Sequence, residues 1–431
     1  MSTARVPFPI KDRWTNAGKA GAVVAVIMIL STDVAYRIPV GPLLMHPYLL
    51  LAPVVAVAVS LPLLRVPQRI LIPALVFLGY FSIGLLLDQE GLPEIVKLAA
   101  SIFTFLFFVQ VVRTPTDYQR VGLALLIVAV YVTSLTVFKA GTGGLNRLDG
   151  INALEGLGNK NAQSLFFLPG LFYGIHEILN AYRKKSWVWL SMLTGACAII
   201  LVGALLAASR SGWLAVAFVI LWAGYRLGIS IRTLVMIGLF AGIAYIGIQQ
   251  YASDIVDHKV EQTVEGYDSD EKRQNLIIQS VLIGLRNPVF GLGHIGLQKA
   301  LAKRVKSYGS EVIDPHNVYG YLLGAGGVIT FISFFVLLSN LRRRMPAPSR
   351  FHRFAVPYVQ ESHHLILGFI LVFLLRAFFT RELLYSPTTM AMLGLLYANL
   401  QLHYRWAQWA FKEHQKTTSE ENQPAQTRLA S

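Results

Sequence analysis

Charge and cysteine are both scarce in this sequence. Only 14% of its 431 residues are Asp, Glu, Lys or Arg, against 54% that are apolar, whereas soluble domains carry about 25% charged residues. The chain lacks the side chains to wet a set of globular domains, and its mean hydropathy of +0.53 excludes a disordered polymer. Cys197 is the one cysteine, so no intrachain disulfide framework forms, and no Cys/His cluster has zinc spacing. Acids are scarcer than bases, 23 against 38 Lys and Arg, for a net charge of +15.

Long apolar runs are what the chain has instead. They recur from Ala20 to Leu400 at intervals of roughly 20–30 residues, and about 20 residues cross the hydrocarbon as a helix. The expectation is an all-α polytopic membrane protein of about twelve transmembrane helices. These fall near 18–38, 43–63, 69–87, 93–112, 118–138, 161–181, 187–207, 211–228, 231–250, 317–340, 362–380 and 385–405. The organisation is then a cytoplasmic N-terminal segment 1–17, helices one to nine over 18–250, and a large loop with short helices over 251–316. Helices ten to twelve over 317–405 and a cytoplasmic polar tail over 406–431 complete it.

Arg5, Lys11, Arg13 and Lys19 ahead of the first run read as the flank of an uncleaved signal anchor. With that end inside, the cytoplasmic segments take 22 of the 38 Lys and Arg and only 7 of the acids. The formal excess is thus a positive-inside signal, and no nucleic-acid partner is needed to account for it. No internal repeat of the inverted-transporter kind is visible.

Some basic residues sit where that rule does not want them. Arg147, Lys160, Arg210 and Arg273 lie in outer segments, Arg376 is inside an apolar run, and Arg381 follows it. Each alone reads as well as a snorkelling or locally paired cation. Together they look like a preformed anion site, because guanidinium matches phosphate oxygens bidentately. In the long loop, Asp268 or Ser269 can cap a helix over 270–285 stopped by Arg286-Asn287-Pro288. Arg273 shares a face of it with Leu276, Ile277, Ser280 and Gly284.

A second helix, over 295–308, places Leu297, Leu301, Val305 and Tyr308 opposite Lys299, Lys303 and Lys306. Its basic face suits either solvent or anionic lipid head groups. Gly291-Leu-Gly293-His-Ile-Gly296 fits a dinucleotide fingerprint literally, but no strand precedes it. Its glycines are read as a tight turn, with backbone amides available to an anion. Asp314-Pro315-His316-Asn317-Val318-Tyr319 ends the loop. His316 there is either a general base, with an ordinary pKa of about 6.5, or a capping or interfacial histidine. His294 and His258 are weaker candidates. Asp268-Ser-Asp270 beside Arg273 is a poor metal site, and no metal is expected.

In this order the pieces resemble the O-antigen ligase and polymerase superfamily of membrane glycosyltransferases. They are Arg147-Leu-Asp-Gly150, Gly158-Asn-Lys-Asn161, Ser209-Arg210-Ser211-Gly212, Arg273, Asn287-Pro-Val-Phe-Gly-Leu-Gly293 and His316-Asn-Val-Tyr319 before Gly324-Ala-Gly-Gly327. The resemblance implies a GT-C-like bundle in a Gram-negative inner membrane with a catalytic periplasmic loop between spans 9 and 10. It implies a donor glycan on undecaprenyl diphosphate, a lipid A–core acceptor for a ligase, contact with membrane lipids, and no cofactor. It carries catalytic roles onto His316, Arg210 and Arg273. Substrate binding falls to Arg147, Arg210, Arg273, Lys160, Asn161, Asn317, Tyr319 and Arg381. A repeat-unit polymerase of the same superfamily and a lipid-linked-glycan flippase or transporter are the alternatives.

Overall fold

A computed structural model describes residues 13–32, 38–40, 43–59, 66–86, 91–142, 160–206, 210–226, 228, 267–305, 313–342, 351 and 353–421. The helices are α1 (Asn16–Ile27), α2 (Pro47–Ala58), α3 (Gln68–Leu86), α4 (Leu92–Val111), α5 (Pro115–Thr142), α6 (Lys160–Arg183), α7 (Trp187–Leu206) and α8 (Arg210–Arg226). After these come α9 (Tyr267–Arg286), α10 (His294–Arg304), α11 (Val318–Leu341), α12 (Val356–Ala377) and α13 (Pro387–Glu421). Short 3₁₀ turns cover Met28–Thr32 and Arg381–Tyr385.

Among the described residues, six helices are long and apolar enough to cross a membrane: Gln68–Leu86, Leu92–Val111, Pro115–Phe138, Trp187–Ala204, Val318–Leu341 and Val356–Ala377. Their outer faces carry exposed Val, Leu and Ile, among them Val188, Ile72 and Leu75. A soluble protein does not expose a contiguous apolar surface of this kind. The fold is a polytopic helical membrane bundle. α13 runs through its middle, buried at every position from Ala391 to Leu400, as a helix that is apolar on all sides must be.

Among the described residues, the structure shows fewer helices of span length than the twelve expected. The runs at 18–38 and 43–63 give α1 with its 3₁₀ turn, a strand pair, and α2. The strands β1 (Ile38–Val40) and β2 (Leu43–Met45) are antiparallel, with Ile38 opposite Met45, so the chain is not purely helical. At 12 residues and 1.5 Å per residue, α2 reaches only about 18 Å. Pro39, Pro42 and Pro47 interrupt a stretch whose hydropathy alone suggests a continuous helix. The span expected at 231–250 lies outside the described residues.

α11 is not a straight span either. Gly327 breaks it at φ 78°, ψ −178°, a conformation essentially confined to glycine. The rings of Tyr319 and Phe335 stack with centroids 6.0 Å apart, whereas a straight helix would separate residues sixteen apart by about 24 Å. The two halves therefore meet at a sharp angle. The second half runs antiparallel to α3, from Gly326 beside Gly84 to Asn340, whose side-chain amide donates to the Arg69 carbonyl at 2.7 Å.

Candidate functional site

The break in α11 creates the platform. A helix that stops at Gly326 leaves the carbonyls of Gly324 and Ala325 without intrahelical partners. The amides of Leu292 and Gly293 donate to them at 2.9 and 3.1 Å, and the amide of Val328 donates to the Pro288 carbonyl at 2.7 Å. Gly291 and Gly293 adopt φ 69° and 73°, and a Cβ at Gly291 would lie 2.4 Å from the Ala325 carbonyl carbon. The two glycine motifs are halves of one interlock. This corrects the expectation that the turn offers its amides to an anion, since those of Leu292 and Gly293 are taken up by α11.

α9 and α10 pack onto the same half-helix. The α9 face expected from spacing is buried at Leu276, Ser280 and Gly284. Ser280 lies against Gly320 and Gly284 against Leu323, so α9 runs parallel to this half. In α10, Leu297, Leu301 and Val305 are buried while Lys299, Lys303 and Arg304 are exposed. The helix ends at Arg304, and the expected continuation to Tyr308 lies outside the described residues.

The segment leading into α11 is pinned at almost every residue. The Ile313 amide donates to the Gln298 carbonyl at 3.4 Å. Pro315 confines Asp314 to extended backbone. The Asn317 side-chain amide donates to the Pro315 carbonyl at 2.7 Å, and its oxygen accepts from the Gly320 amide at 2.6 Å, capping the helix. Between these contacts His316 has φ 54°, which costs a non-glycine residue roughly 1–2 kcal/mol. Its amide donates to Asp314 Oδ1 at 2.8 Å. Its ring stays outside, with the side chain 56% exposed and Nδ1 3.7 Å from the same carboxylate oxygen. The imidazole is presented on a rigid, strained support.

Asp314 also pairs through Oδ2 with Nε of Arg381. Arg381 is the hub of a partly buried cluster drawn from four elements. Its Nη1 donates to His294 Nδ1 at 3.0 Å and lies 3.7 Å from Glu94 Oε2, while its guanidinium stands 5.1 Å over the Tyr321 ring. Glu94 in turn holds Lys97 Nζ at 2.7 Å, and the Tyr385 hydroxyl donates to that of Tyr321 at 3.1 Å. Arginine is only a donor, so His294 accepts at Nδ1 and a neutral ring carries its proton on Nε2. Burial, and then the Arg381 cation, hold His294 below the ordinary histidine pKa. Burial opposes the charge on Arg381, but Asp314, the neighbouring tyrosines and Glu94 outweigh it and raise its pKa.

Five residues before this hub, Arg376 is 1% exposed. Its two terminal nitrogens donate to the hydroxyls of Ser211 on α8 and Ser164 on α6. The arginine that looked out of place in an apolar run thus joins the first turns of α6 and α8 to the end of α12. Those turns carry the backbones of Lys160, Asn161 and Arg210. The side chains of these three and of Arg273, and Arg147 altogether, lie outside the described residues. Of the remaining expected site residues, His316 and Arg381 share the cluster through Asp314. Asn317 uses its amide on the cap, and the Tyr319 hydroxyl donates to the Leu374 carbonyl at 2.6 Å.

Sequence reasoning did not pick out Asp314, Glu94, Lys97 or Tyr321 as members of the site. Asp314 was visible in the quoted motif, and Glu94 and Lys97 form an i,i+3 pair at the start of an otherwise apolar helix. Among the described residues no three His, Cys, Asp or Glu side chains gather closely enough to hold a metal ion.

Comparison with curated proteins gives no match. Residues 195–335 match the family model described as O-antigen ligase. That stretch runs from within α7 into the second half of α11 and takes in Arg210, Arg273, the glycine interlock and His316. Over this stretch, about a third of its length, the chain is similar to the O-antigen ligase family.

Proposed function

We propose that the protein is an O-antigen ligase, moving a glycan from undecaprenyl diphosphate to a sugar hydroxyl of lipid A–core at the periplasmic face of a Gram-negative inner membrane. The acceptor oxygen attacks the anomeric carbon, and the bond from that carbon to the diphosphate oxygen breaks. The hydroxyl proton passes to His316 Nε2, and the electron pair leaves on undecaprenyl diphosphate. A single displacement inverts the anomeric centre. Arg210 and Arg273 meet the charge that develops on the diphosphate, where donors fixed in a water-poor site stabilise the transition state most. Arg147, with Lys160 and Asn161, positions the glycan. A placed base contributes typically about 10²–10⁴-fold.

The observation that carries this reading is the presentation of His316: an exposed imidazole on a pinned, positive-φ segment, backed by a carboxylate. The family match over 195–335 supports it. The exposed Lys299, Lys303 and Arg304 suit an acceptor bearing phosphates, which is the reason we propose the ligase first and the repeat-unit polymerase second.

The test is a reaction of purified protein with undecaprenyl-diphosphate glycan, with and without lipid A–core, followed by gel shift and mass. Glycan on lipid A–core supports the ligase. Lengthened lipid-linked glycan without core makes the protein a polymerase, and an unchanged donor from folded protein points to a flippase or transporter.

A further inference from the structure

We propose that Arg381 is a positioning residue that acts on Asp314 and, through it, on His316, rather than a residue that grips the donor's diphosphate. The inference rests on the glycosyl-transfer reading above, with His316 as its base.

The guanidinium is occupied from several directions by its own protein. Nε pairs with Asp314, Nη1 serves His294 and faces Glu94, and the plane stands over Tyr321. Its side chain is only 17% exposed. A phosphate would have to displace Asp314 from the Nε side, or His294 from Nη1, to gain either fork that makes arginine a good phosphate ligand. Asp314 divides its two oxygens between tasks. Oδ2 is held by Arg381, and Oδ1 accepts the His316 amide at 2.8 Å beside Nδ1 of the ring.

Removing the arginine frees the carboxylate to rotate, and with it goes the hydrogen bond that fixes His316 in its strained backbone. A misplacement of about 1 Å in a reacting group costs on the order of 10²-fold in rate. The charged and titratable groups facing the pair are Glu94 and Lys97 from α4, His294 from α10, Tyr321 from α11 and Tyr385 from the Arg381–Tyr385 turn.

The experiment is steady-state glycan transfer by the full-length protein and by Arg381→Gln, Asp314→Asn and the double variant, with donor concentration varied. The expected result is a fall in kcat of about 10–100-fold for each single variant, with donor KM within about threefold of wild type. The double variant should be little worse than either single one, because residues acting as a unit are not additive. A rise of about tenfold or more in donor KM for Arg381→Gln, adding to the effect of Asp314→Asn, would put the guanidinium on the diphosphate and overturn the proposal. So would wild-type kcat in both single variants.

Where Arg381→Gln fails to fold, Arg381→Lys replaces it, keeping the cation without the fork, and the same split of kcat from KM decides. Loss of transfer in the wild-type protein itself would instead sink the functional reading. The Asp314–Arg381 pair remains testable in that case as a coupling of thermal unfolding temperatures in the same four proteins. Additive shifts there would overturn the pairing.

Discussion

The amide of Val328 donates to the carbonyl of Pro288 at 2.7 Å, where a continuous α11 would have sent it to Gly324. The carbonyl of Gly324 takes the amide of Leu292 instead. This exchange of partners lets a membrane helix stop and turn without leaving buried polar groups unmet, and it carries the loop bearing His316 on the same half-helix.

Gly327→Ala should undo the exchange. The substitution places a Cβ 2.5 Å from the Val289 carbonyl oxygen in a backbone conformation at φ 78°. Strain and clash together should cost about 3 kcal/mol or more, read as a fall in unfolding temperature and in folded yield. Gly195→Ala, with nothing within 4 Å of the new methyl, is the control and should be neutral or stabilising by up to about 1 kcal/mol. Equal effects at both positions would contradict the interlock.

Arg376→Ala should destabilise the fold by about 2–4 kcal/mol, since it removes two charge-assisted hydrogen bonds and leaves a cavity. Arg376→Lys keeps the charge but cannot reach Ser164 and Ser211 together. It should fold and yet lose transfer activity about tenfold or more, because the first turns of α6 and α8 would no longer be tied. Wild-type activity in Arg376→Lys would remove Arg376 from the account.

Much of this was legible in the sequence. The apolar runs at 69–138, 161–228 and 362–405 do form the helices α3 to α8, α12 and α13, and of these α3, α4, α5, α7 and α12 are long and apolar enough to span. The α9 face and the buried side of α10 follow from helical spacing, which is local. The break at Gly327 was not legible: Gly324-Ala-Gly-Gly327 sits in an apolar stretch, and only its long-range partner at Pro288–Gly293 shows that the helix stops there. Nor was the Asp314–Arg381 pair, since periodicity says nothing of which loop ends meet across a bundle. The first two spans misled because hydropathy outweighed Pro39, Pro42 and Pro47.

Acid should weaken the site end of the fold through His294. Burial, and then the Arg381 cation, lower its pKa, so the folded state prefers the neutral ring while the unfolded chain takes up a proton near pH 6.5. Between those two values the native state binds fewer protons, and stability rises with pH. This contribution is fully present above about pH 6.5 and is lost as the pH falls toward the folded value. Unfolding temperatures from pH 5 to 8 should therefore slope less steeply in His294→Gln than in wild type. An unchanged slope would contradict the assignment.

His316→Gly separates support from chemistry. Glycine relieves the positive φ, offset by its own chain entropy, so the change in stability should lie between zero and about 1 kcal/mol in favour of the variant. Transfer should nevertheless fall. A large loss of stability would mean that the exposed ring holds the fold together.

The most direct measurement is the rate at which purified protein releases undecaprenyl diphosphate from the lipid-linked glycan in the presence of lipid A–core, for wild type and for His316→Ala. The account predicts acceptor-dependent release by the wild type and a fall of about 10²–10⁴-fold in the variant, with unfolding temperature unchanged. Release at the wild-type rate by folded His316→Ala, or none by the wild type with lipid A–core present, would contradict it.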